Sequence, residues 1–165
     1  MQGFALYSIV AKISPGSPML PLTLAQASTI VDVALKTGRE HKFQPLSVAV
    51  LDAGGHLVAF KREDKSGILR FDIAFGKAWG ALGMGLGSRT LAGRAPKQPA
   101  FFTALAAVSG GRLVPGPAGV LIRDKDGDVV GAVGISGDTA DNDEICAIAG
   151  VQAAGLTPDP GKEPT

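Results

Sequence analysis

Residues 115–150 read PGPAGVLIRDKDGDVVGAVGISGDTADNDEICAIAG, and this stretch decides the fold of the chain. Two apolar, valine-rich runs, 119–123 and 129–135, flank the turn KDGD at 125–128, which predicts a β-hairpin. A Gly/Ser loop then leads into a helix predicted over 141–154, where acidic residues at the N-terminus complement the helix dipole. This order brings backbone N–H groups, a hydroxyl and several carboxylates together at one end of a small sheet.

A second hairpin precedes this stretch. The runs SVAVL at 47–51 and HLVAFKR at 56–62 are joined by the turn Asp-Ala-Gly-Gly at 52–55, which predicts two more antiparallel strands. Val114 is a candidate for a fifth, short strand. The sequence therefore predicts two hairpins that share an aspartate- and glycine-rich turn style.

Two of the predicted helices have clear start signals. Thr23 and Gln26 form a capping box, and the apolar residues after them repeat with a helical period to about His41. A shorter helix over 98–108 begins with Pro99 in its first turn, where a missing N–H is tolerated.

The helix predicted over 69–87 is unusual because it contains five glycines, and each costs about 1 kcal/mol relative to alanine in a helix interior. Four of the glycines share one face, at the spacing i, i+4, i+7 and i+11: Gly76, Gly80, Gly83 and Gly87. The apolar side chains centre on another face: Phe71, Phe75, Ala78, Leu82 and Leu86. Three roles suit the glycine face: close packing on a neighbouring helix of the same domain, a homo-oligomer interface, or a platform for a flat ligand.

Composition argues against several classes of function. A chain of 165 residues with 45% hydrophobic and 19% charged residues is typical of one soluble globular domain. A formal net charge of +1 and the lack of an Arg/Lys stripe argue against a nucleic-acid surface. The most apolar long stretch, 71–86, contains two charges and is shorter than the roughly 20 residues that a membrane span needs. The first eleven residues lack the positively charged start of an export signal, so we expect a cytoplasmic protein.

Three motifs carry a resemblance to a known family. They are VAVLDAGGHLVAFKRED at 48–64, FDIAFGKAWGAL at 71–82 and GVLIRDKDGDVVGAVGISGDTADNDEICAIAG at 119–150. Together they resemble the GlcG/HbpS family of haem-binding proteins, whose domain also occurs at the C-terminus of PduO-type corrinoid adenosyltransferases. The resemblance covers about residues 22–156. It departs from the family pattern at 64–67, where the usual Asp-Gly-Ala triplet is replaced by Asp-Lys-Ser-Gly.

The resemblance implies the fold class α/β (α+β), with an antiparallel five-stranded sheet flanked by helices in a profilin- or PAS-like α-β-α sandwich. It also implies a homo-oligomer, a dimer or higher, with haem or a related tetrapyrrole as ligand. We predict an N-terminal extension at 1–21, one domain over 22–156, and a disordered tail at 157–165, which holds three prolines.

Haem iron takes a His, Cys, Met or Tyr axial ligand. The chain offers Tyr7, His41, His56, Met84 and Cys146. His41 suits the C-terminal dipole of the first helix, and Met84 suits a gap-filling role. Cys146 is expected to be buried, with a pKa raised by the neighbouring acidic residues. His56, at the start of a strand, is retained as a candidate ligand.

Eight residues are candidate ligand-binding positions: His56, Arg62, Asp64, Arg70, Lys77, Ser136, Asp138 and Glu144. The hydroxyl of Ser136 and the N–H groups of 134–137 suit an anion such as a propionate beside a helix N-terminus. Asp138 and Glu144 oppose an anion, and they suit a cation or a capping role instead.

The basic candidates leave a second function open. Lys77 is expected to pair with a carboxylate of the acidic loop, such as Asp138 or Glu144. Arg62, Asp64 and Arg70 flank the same expected cleft, where arginine can bind carboxylates in a bidentate manner. The first hypothesis is a non-enzymatic haem-binding oligomer that sequesters or carries its ligand. The second is an enzyme or accessory subunit that acts on a small organic acid, and the third is an oligomeric scaffold with no small ligand.

Overall fold

The structure, a computed structural model, describes residues 21–163. In chain order its elements are α1 (Leu24–Glu40), β1 (Ser47–Asp52), β2 (Leu57–Arg62), α2 (Arg70–Met84), α3 (Ser88–Arg94), a 3-10 turn (Ala95–Lys97), α4 (Pro99–Val108), β3 (Gly119–Arg123), β4 (Val129–Ser136), α5 (Ala140–Ala153) and β5 (Thr157–Asp159). The predicted N-terminal extension lies, apart from residue 21, outside the described residues. None of the helices within 21–163 has the length and apolar character that crossing a bilayer requires.

The five strands form one antiparallel sheet in the order β2-β1-β4-β3-β5, so both predicted hairpins are confirmed. Their turns are built alike. The Oδ1 atom of Asp52 accepts hydrogen bonds from the N–H groups two and four residues further on, at 2.9 and 3.0 Å. Asp124 accepts the equivalent pair, both at 2.9 Å. An aspartate that bonds its own turn in this way explains the shared turn style of the two hairpins.

Helices cover both faces of the sheet, which confirms the predicted fold class. One face packs against α1 and α5 through apolar strand residues: Val48, Val50, Val120, Ile122, Val133 and Ile135. The other face packs against α2 through Leu51, Leu121 and Ala132. Alternation along β3 places Leu121 on the opposite side from its two neighbours, as a strand buried on both faces requires.

The C-terminal segment departs from the prediction. Residues 157–165 were expected to be disordered, but Thr157–Asp159 pair with β3 as β5. Proline is tolerated there because β5 is an edge strand, where one side of the backbone needs no partner. The prediction of a strand at Val114 is wrong, since this residue lies in the loop before β3 and its N–H bonds the carbonyl oxygen of Gly76 at 3.2 Å.

The glycine-rich helix ends earlier than predicted. Gly85 adopts the left-handed conformation with φ of 64°, which stops α2 at Met84, and the chain turns into the short helix α3. The loop 112–114 covers part of the glycine face, because Gly76 lies against Arg112 and Val114 and Gly80 lies against Leu113. Close packing within the domain is therefore observed, with a loop rather than a helix as the neighbour.

Two glycines of α2 should respond in opposite ways to alanine. A Cβ atom on Gly76 would overlap the carbonyl oxygen of Arg112, whereas one on Gly83 would meet only the Trp79 ring, at 4.0 Å. We expect Gly83→Ala to stabilise the protein by about 0.5–1 kcal/mol, because alanine loses less backbone entropy in a helix. Gly76→Ala should destabilise it by about 1–3 kcal/mol through overpacking. Urea denaturation of the two variants checks this, and equal shifts of the same sign would contradict it.

The sheet allows α2 to approach unusually closely. A Cβ on Gly134 of β4 would overlap the carbonyl oxygen of Ala74, and one on Gly119 of β3 would overlap that of Lys77. The helix backbone thus lies directly on two glycine positions of adjacent strands. This contact places the Lys77 side chain between α2 and β4.

The helix α4 does not pack into either hydrophobic core of the described protein. α4 has the sequence PAFFTALAAV, carries no charged residue and buries none of its residues. The side chains of Phe101 and Val108 are exposed, at 48% and 85%. An apolar helix in this situation leaves a hydrophobic surface open on the described protein.

Candidate functional site

Lys77 is the centre of a buried polar cluster between α2, β4 and α5. Its Nζ atom donates to the carbonyl oxygen of Ile135 at 2.8 Å and lies 3.5 Å from a carboxylate oxygen of Asp143. Burial lowers the pKa of Lys77, while Asp143 acts against this by favouring the ammonium form. The predicted ion pair is present, but its partner is Asp143 rather than Asp138 or Glu144.

Asp143 also fixes the loop that follows β4. Its carboxylate accepts hydrogen bonds from the backbone N–H groups of Gly137 at 3.3 Å and Asp138 at 2.9 Å. The side chain is fully buried, so these donors and the Lys77 ammonium are what compensates its lost hydration. Asp143 is not among the eight candidate residues, although it belongs to the acidic run at the start of α5.

Asp138 has a different role in the same loop. It accepts hydrogen bonds from the backbone N–H of Gln44 at 2.6 Å, from that of Thr139 at 2.7 Å and from the side-chain amide of Asn142 at 2.7 Å. These bonds, that from Gln44 above all, lower the pKa of Asp138. The carboxylate therefore joins the chain after α1 to the start of α5.

Glu144 points towards α3 instead of Lys77. Its carboxylate accepts from the Nε atom of Arg89 at 2.8 Å and from the backbone N–H of Ala118 at 3.4 Å. Arg89 also pairs with Asp141 at 2.5 Å and with Glu163. Glu144 thus belongs to a network that joins α3, α5 and the C-terminal segment.

Arg70 and Ser136 meet at the end of the sheet where β1 and β4 pair. The Nη1 atom of Arg70 donates to the Ser136 hydroxyl at 3.1 Å. Ser136 lies opposite Ser47 in the β-ladder, and the Ser47 hydroxyl is 2.9 Å from that of Ser66. The loop that carries Ser66 also contains Lys65 with φ of 68°, in the left-handed region of the backbone.

Arg62 and Asp64 lie on the exposed side of this region. Both line an open hollow of about 570 Å³ together with Leu35, Arg39, Pro45, Lys61 and Glu63. Neither Lys77 nor Ser136 contributes to that lining. The candidates therefore fall into five places: Lys77 with the loop that holds Asp138, the Glu144–Arg89 network, the Arg70–Ser136 contact, the Arg62–Asp64 hollow, and His56.

His56 lies at the opposite end of the sheet, in the turn between β1 and β2. Its side chain is 81% exposed, and its Nδ1 atom is 3.2 Å from Oδ1 of Asp52. The backbone N–H of His56 lowers the pKa of Asp52, which keeps this carboxylate ionised and able only to accept. A neutral imidazole in this contact carries its proton on Nδ1 and its lone pair on Nε2.

An aromatic ring and a cation lie beside this turn. Trp79 of α2 packs against Gly55, and the guanidinium of Arg112 lies over the Trp79 ring, 4.4 Å from its centroid. The turn, α2 and the loop 112–114 thus bring an imidazole, a flat apolar surface and a positive charge to one region. Trp79 and Arg112 are not among the eight candidate residues, and the one sequence signal for them is that Trp79 is the single tryptophan of the chain.

The other potential iron ligands are less suitable. Cys146 is fully buried, and burial raises the pKa of its thiol to about 12, so the thiolate form that binds metals is scarce. His41 caps the C-terminus of α1 and stacks on Phe43, with ring centroids 5.2 Å apart. Met84 is the last residue of α2, and Tyr7 lies outside the described residues.

Several solved structures share this fold. PduOC, solved as a haem complex, has a TM-score of 0.74 and 22% identity over 83% of this chain and 97% of its own. Klebsiella pneumoniae protein ORFY has a TM-score of 0.73 and 26% identity over 84% of this chain and 94% of its own. HbpS has a TM-score of 0.70 and 26% identity over 87% of this chain and 97% of its own.

No curated protein matches the sequence. A family model described as "Haem degrading protein HbpS-like" matches residues 22–152, which is most of the chain and includes both hairpins, α2 and nearly all of α5. The chain belongs to the HbpS-like family of haem-degrading proteins.

Proposed function

We propose that this protein binds haem, with His56 as an axial ligand of the iron. The observation that carries the proposal is the family match over residues 22–152. PduOC, which has the same fold, was solved as a haem complex, so the fold itself is compatible with this ligand. The role that we propose is sequestration or carriage of haem.

The residues around His56 fit this ligand. A histidine that binds a metal generally donates its second ring N–H to a carboxylate or carbonyl, which fixes the tautomer and the ring orientation. Asp52 is in place to accept that bond and leaves Nε2 for the iron. Trp79 packs beside the same turn, and Arg112, whose guanidinium lies over the Trp79 ring, offers a charge for a propionate.

Hemin titration followed by absorption spectroscopy tests the proposal. We expect a saturable Soret shift for the wild type and a displaced Soret band with much weaker binding for His56→Ala. Asp52→Asn should weaken binding by about 10- to 100-fold, as is usual when a partner of a metal-binding histidine is removed. His41→Ala is the matched control and should bind hemin as the wild type does. If His56→Ala has the spectrum and the hemin affinity of the wild type, His56 is not the axial ligand of the iron.

The same sample distinguishes carriage from degradation. Incubation of the complex with a reductant and dioxygen should leave the Soret band in place if the protein carries haem. Steady loss of the band with formation of a bilin-type spectrum would instead indicate that the protein degrades haem, as the family description states for its members.

The second candidate function is that of an enzyme or accessory subunit that acts on a small organic acid. Its support is the arginine beside Ser136, since guanidinium binds carboxylates well. Lys77, which that hypothesis also requires, directs its ammonium to Ile135 and Asp143. We therefore rank the organic acid below haem.

We further propose that the protein is a homo-oligomer and that α4 lies in the interface. The support is the uncharged sequence of α4 and its lack of buried residues. Light scattering should give a multiple of 16.7 kDa for the wild type and a smaller mass for Phe101→Glu, because a carboxylate in an apolar interface is costly. Ile145→Glu, at an equally exposed apolar position of α5, should keep the wild-type mass. A monomeric wild type would contradict the proposal.

A further inference from the structure

A second cavity lies between the end of α2, α3 and the C-terminal segment 159–163, and its volume is about 570 Å³. Its lining includes four basic residues: Arg94, Lys97, Arg123 and Lys162. His56, Trp79 and Arg112 do not line it, so it is separate from the site proposed for haem.

The two carboxylates of this cavity are already paired. Asp159 accepts from the Nε and Nη2 atoms of Arg123, at 3.0 and 2.8 Å, and from the backbone N–H of Gly161 at 3.1 Å. Glu163 pairs with Arg89. Four basic side chains against these two carboxylates leave positive charge in excess around the cavity.

Three of the basic side chains supply that excess. Arg94, Lys97 and Lys162 form no ion pair within residues 21–163. They reach the cavity from different elements, since Arg94 ends α3, Lys97 belongs to the 3-10 turn and Lys162 follows β5. Like charges brought together around a concave surface favour an anion between them.

The wall that carries Lys162 is fixed by tertiary contacts. The N–H of Arg89 bonds the carbonyl oxygen of Pro160 at 3.1 Å, and the N–H of Lys162 bonds the Thr90 hydroxyl at 2.8 Å. Gly87 lies directly against the backbone of Pro160 and Gly161, where a Cβ would overlap it. This wall of the cavity is thus formed before a ligand arrives, which reduces the entropy lost on binding.

We propose that this cavity binds a small organic polyanion, a molecule that carries phosphate groups or several carboxylates. Both groups accept charge-assisted hydrogen bonds from arginine and lysine. The volume lies in the range of about 300–1,000 Å³ that is usual for small-molecule sites. All three unpaired cations are exposed, so binding depends on ionic strength.

Isothermal titration of the full chain with inorganic pyrophosphate and, separately, with citrate tests this site. We expect saturable binding of at least one probe at low salt that weakens as salt is added. The double variant Arg94→Ala/Lys97→Ala should weaken it by about tenfold or more, because it removes two of the charged donors that face the anion. Pyrophosphate alone would identify a phosphate ligand, and citrate alone a polycarboxylate.

A matched control separates a site from general attraction. Lys36→Ala/Lys61→Ala also removes two positive charges, but both lysines lie on the α1 and β2 side of the fold and neither lines the cavity. This variant should bind the probe as the wild type does. The proposal is overturned if neither probe binds saturably, or if both double variants weaken binding equally.

Discussion

Gly134→Ala is expected to destabilise the protein by about 3 kcal/mol or more, at or above the upper end of the effects that overpacking usually has. The added Cβ would overlap the carbonyl oxygen of Ala74 and lie 3.0 Å from the backbone nitrogen of Ala78. Backbone atoms of a helix cannot rotate out of the way as a flexible side chain can. The helix α2 would have to lift from β4, and the core between Ala78 and Leu121 would open with it.

Guanidinium denaturation followed by circular dichroism measures this effect. Gly67→Ala is the matched control, because its Cβ would meet only the side chain of Arg70, at 3.8 Å, and its φ is negative. It should stay within about 0.5 kcal/mol of the wild type, as surface substitutions usually do. A Gly134→Ala protein as stable as this control would mean that α2 does not lie as close to the sheet as described.

Asp143→Ala is expected to cost about 3–5 kcal/mol, the usual penalty for removing one partner of a buried ion pair. The substitution leaves the Lys77 ammonium buried with only the Ile135 carbonyl, and it removes the acceptor for the N–H groups of Gly137 and Asp138. Lys77→Met in the Asp143→Ala background should restore part of the loss, since it removes the unpaired charge. Urea denaturation of the four proteins of this double-mutant cycle gives the coupling free energy. Additive single effects would contradict the pairing.

The loss of stability caused by Asp143→Ala should become smaller as the pH is raised. Burial holds the pKa of Lys77 below its ordinary value of 10.5, so between the native pKa and 10.5 the unfolded chain binds more protons than the folded one. The free energy of unfolding therefore rises with pH in this window. Asp143 opposes the shift, so its removal extends the window to lower pH. Between neutral and alkaline pH, the free energy of unfolding should therefore rise more for Asp143→Ala than for the wild type.

The two hairpins could be predicted because the information for each is local. Each combines two apolar runs with an aspartate that bonds its own turn, so neither needs a distant partner to be recognised. β5 could not be predicted, because the sequence Thr-Pro-Asp at 157–159 is a poor strand in isolation. It becomes one only because β3 offers an unpaired edge and because Asp159 binds Arg123.

The site was predicted less well than the fold, for a related reason. The acidic run at the start of α5 predicts a carboxylate partner for Lys77. Which residue supplies it depends on the rotation of α5 about its own axis, because this rotation sets the direction of each side chain. In the structure Asp143 faces α2, whereas Glu144 faces Arg89 of α3, a helix that the sequence did not reveal. Trp79 and Arg112 meet across a loop, and no spacing along the chain indicates such a contact.

The order of the strands also affects how the chain folds during its synthesis. β1 pairs with β2, which follows it directly, and with β4, which is made only after α2, α3, α4 and β3. On a ribosome the first hairpin therefore carries one open edge, with the apolar side chains of β1 uncovered, until β4 has emerged. Such pairing between distant segments slows folding and exposes nascent chains to aggregation. We expect the newly made protein to depend on chaperones more than a helical protein of the same length would.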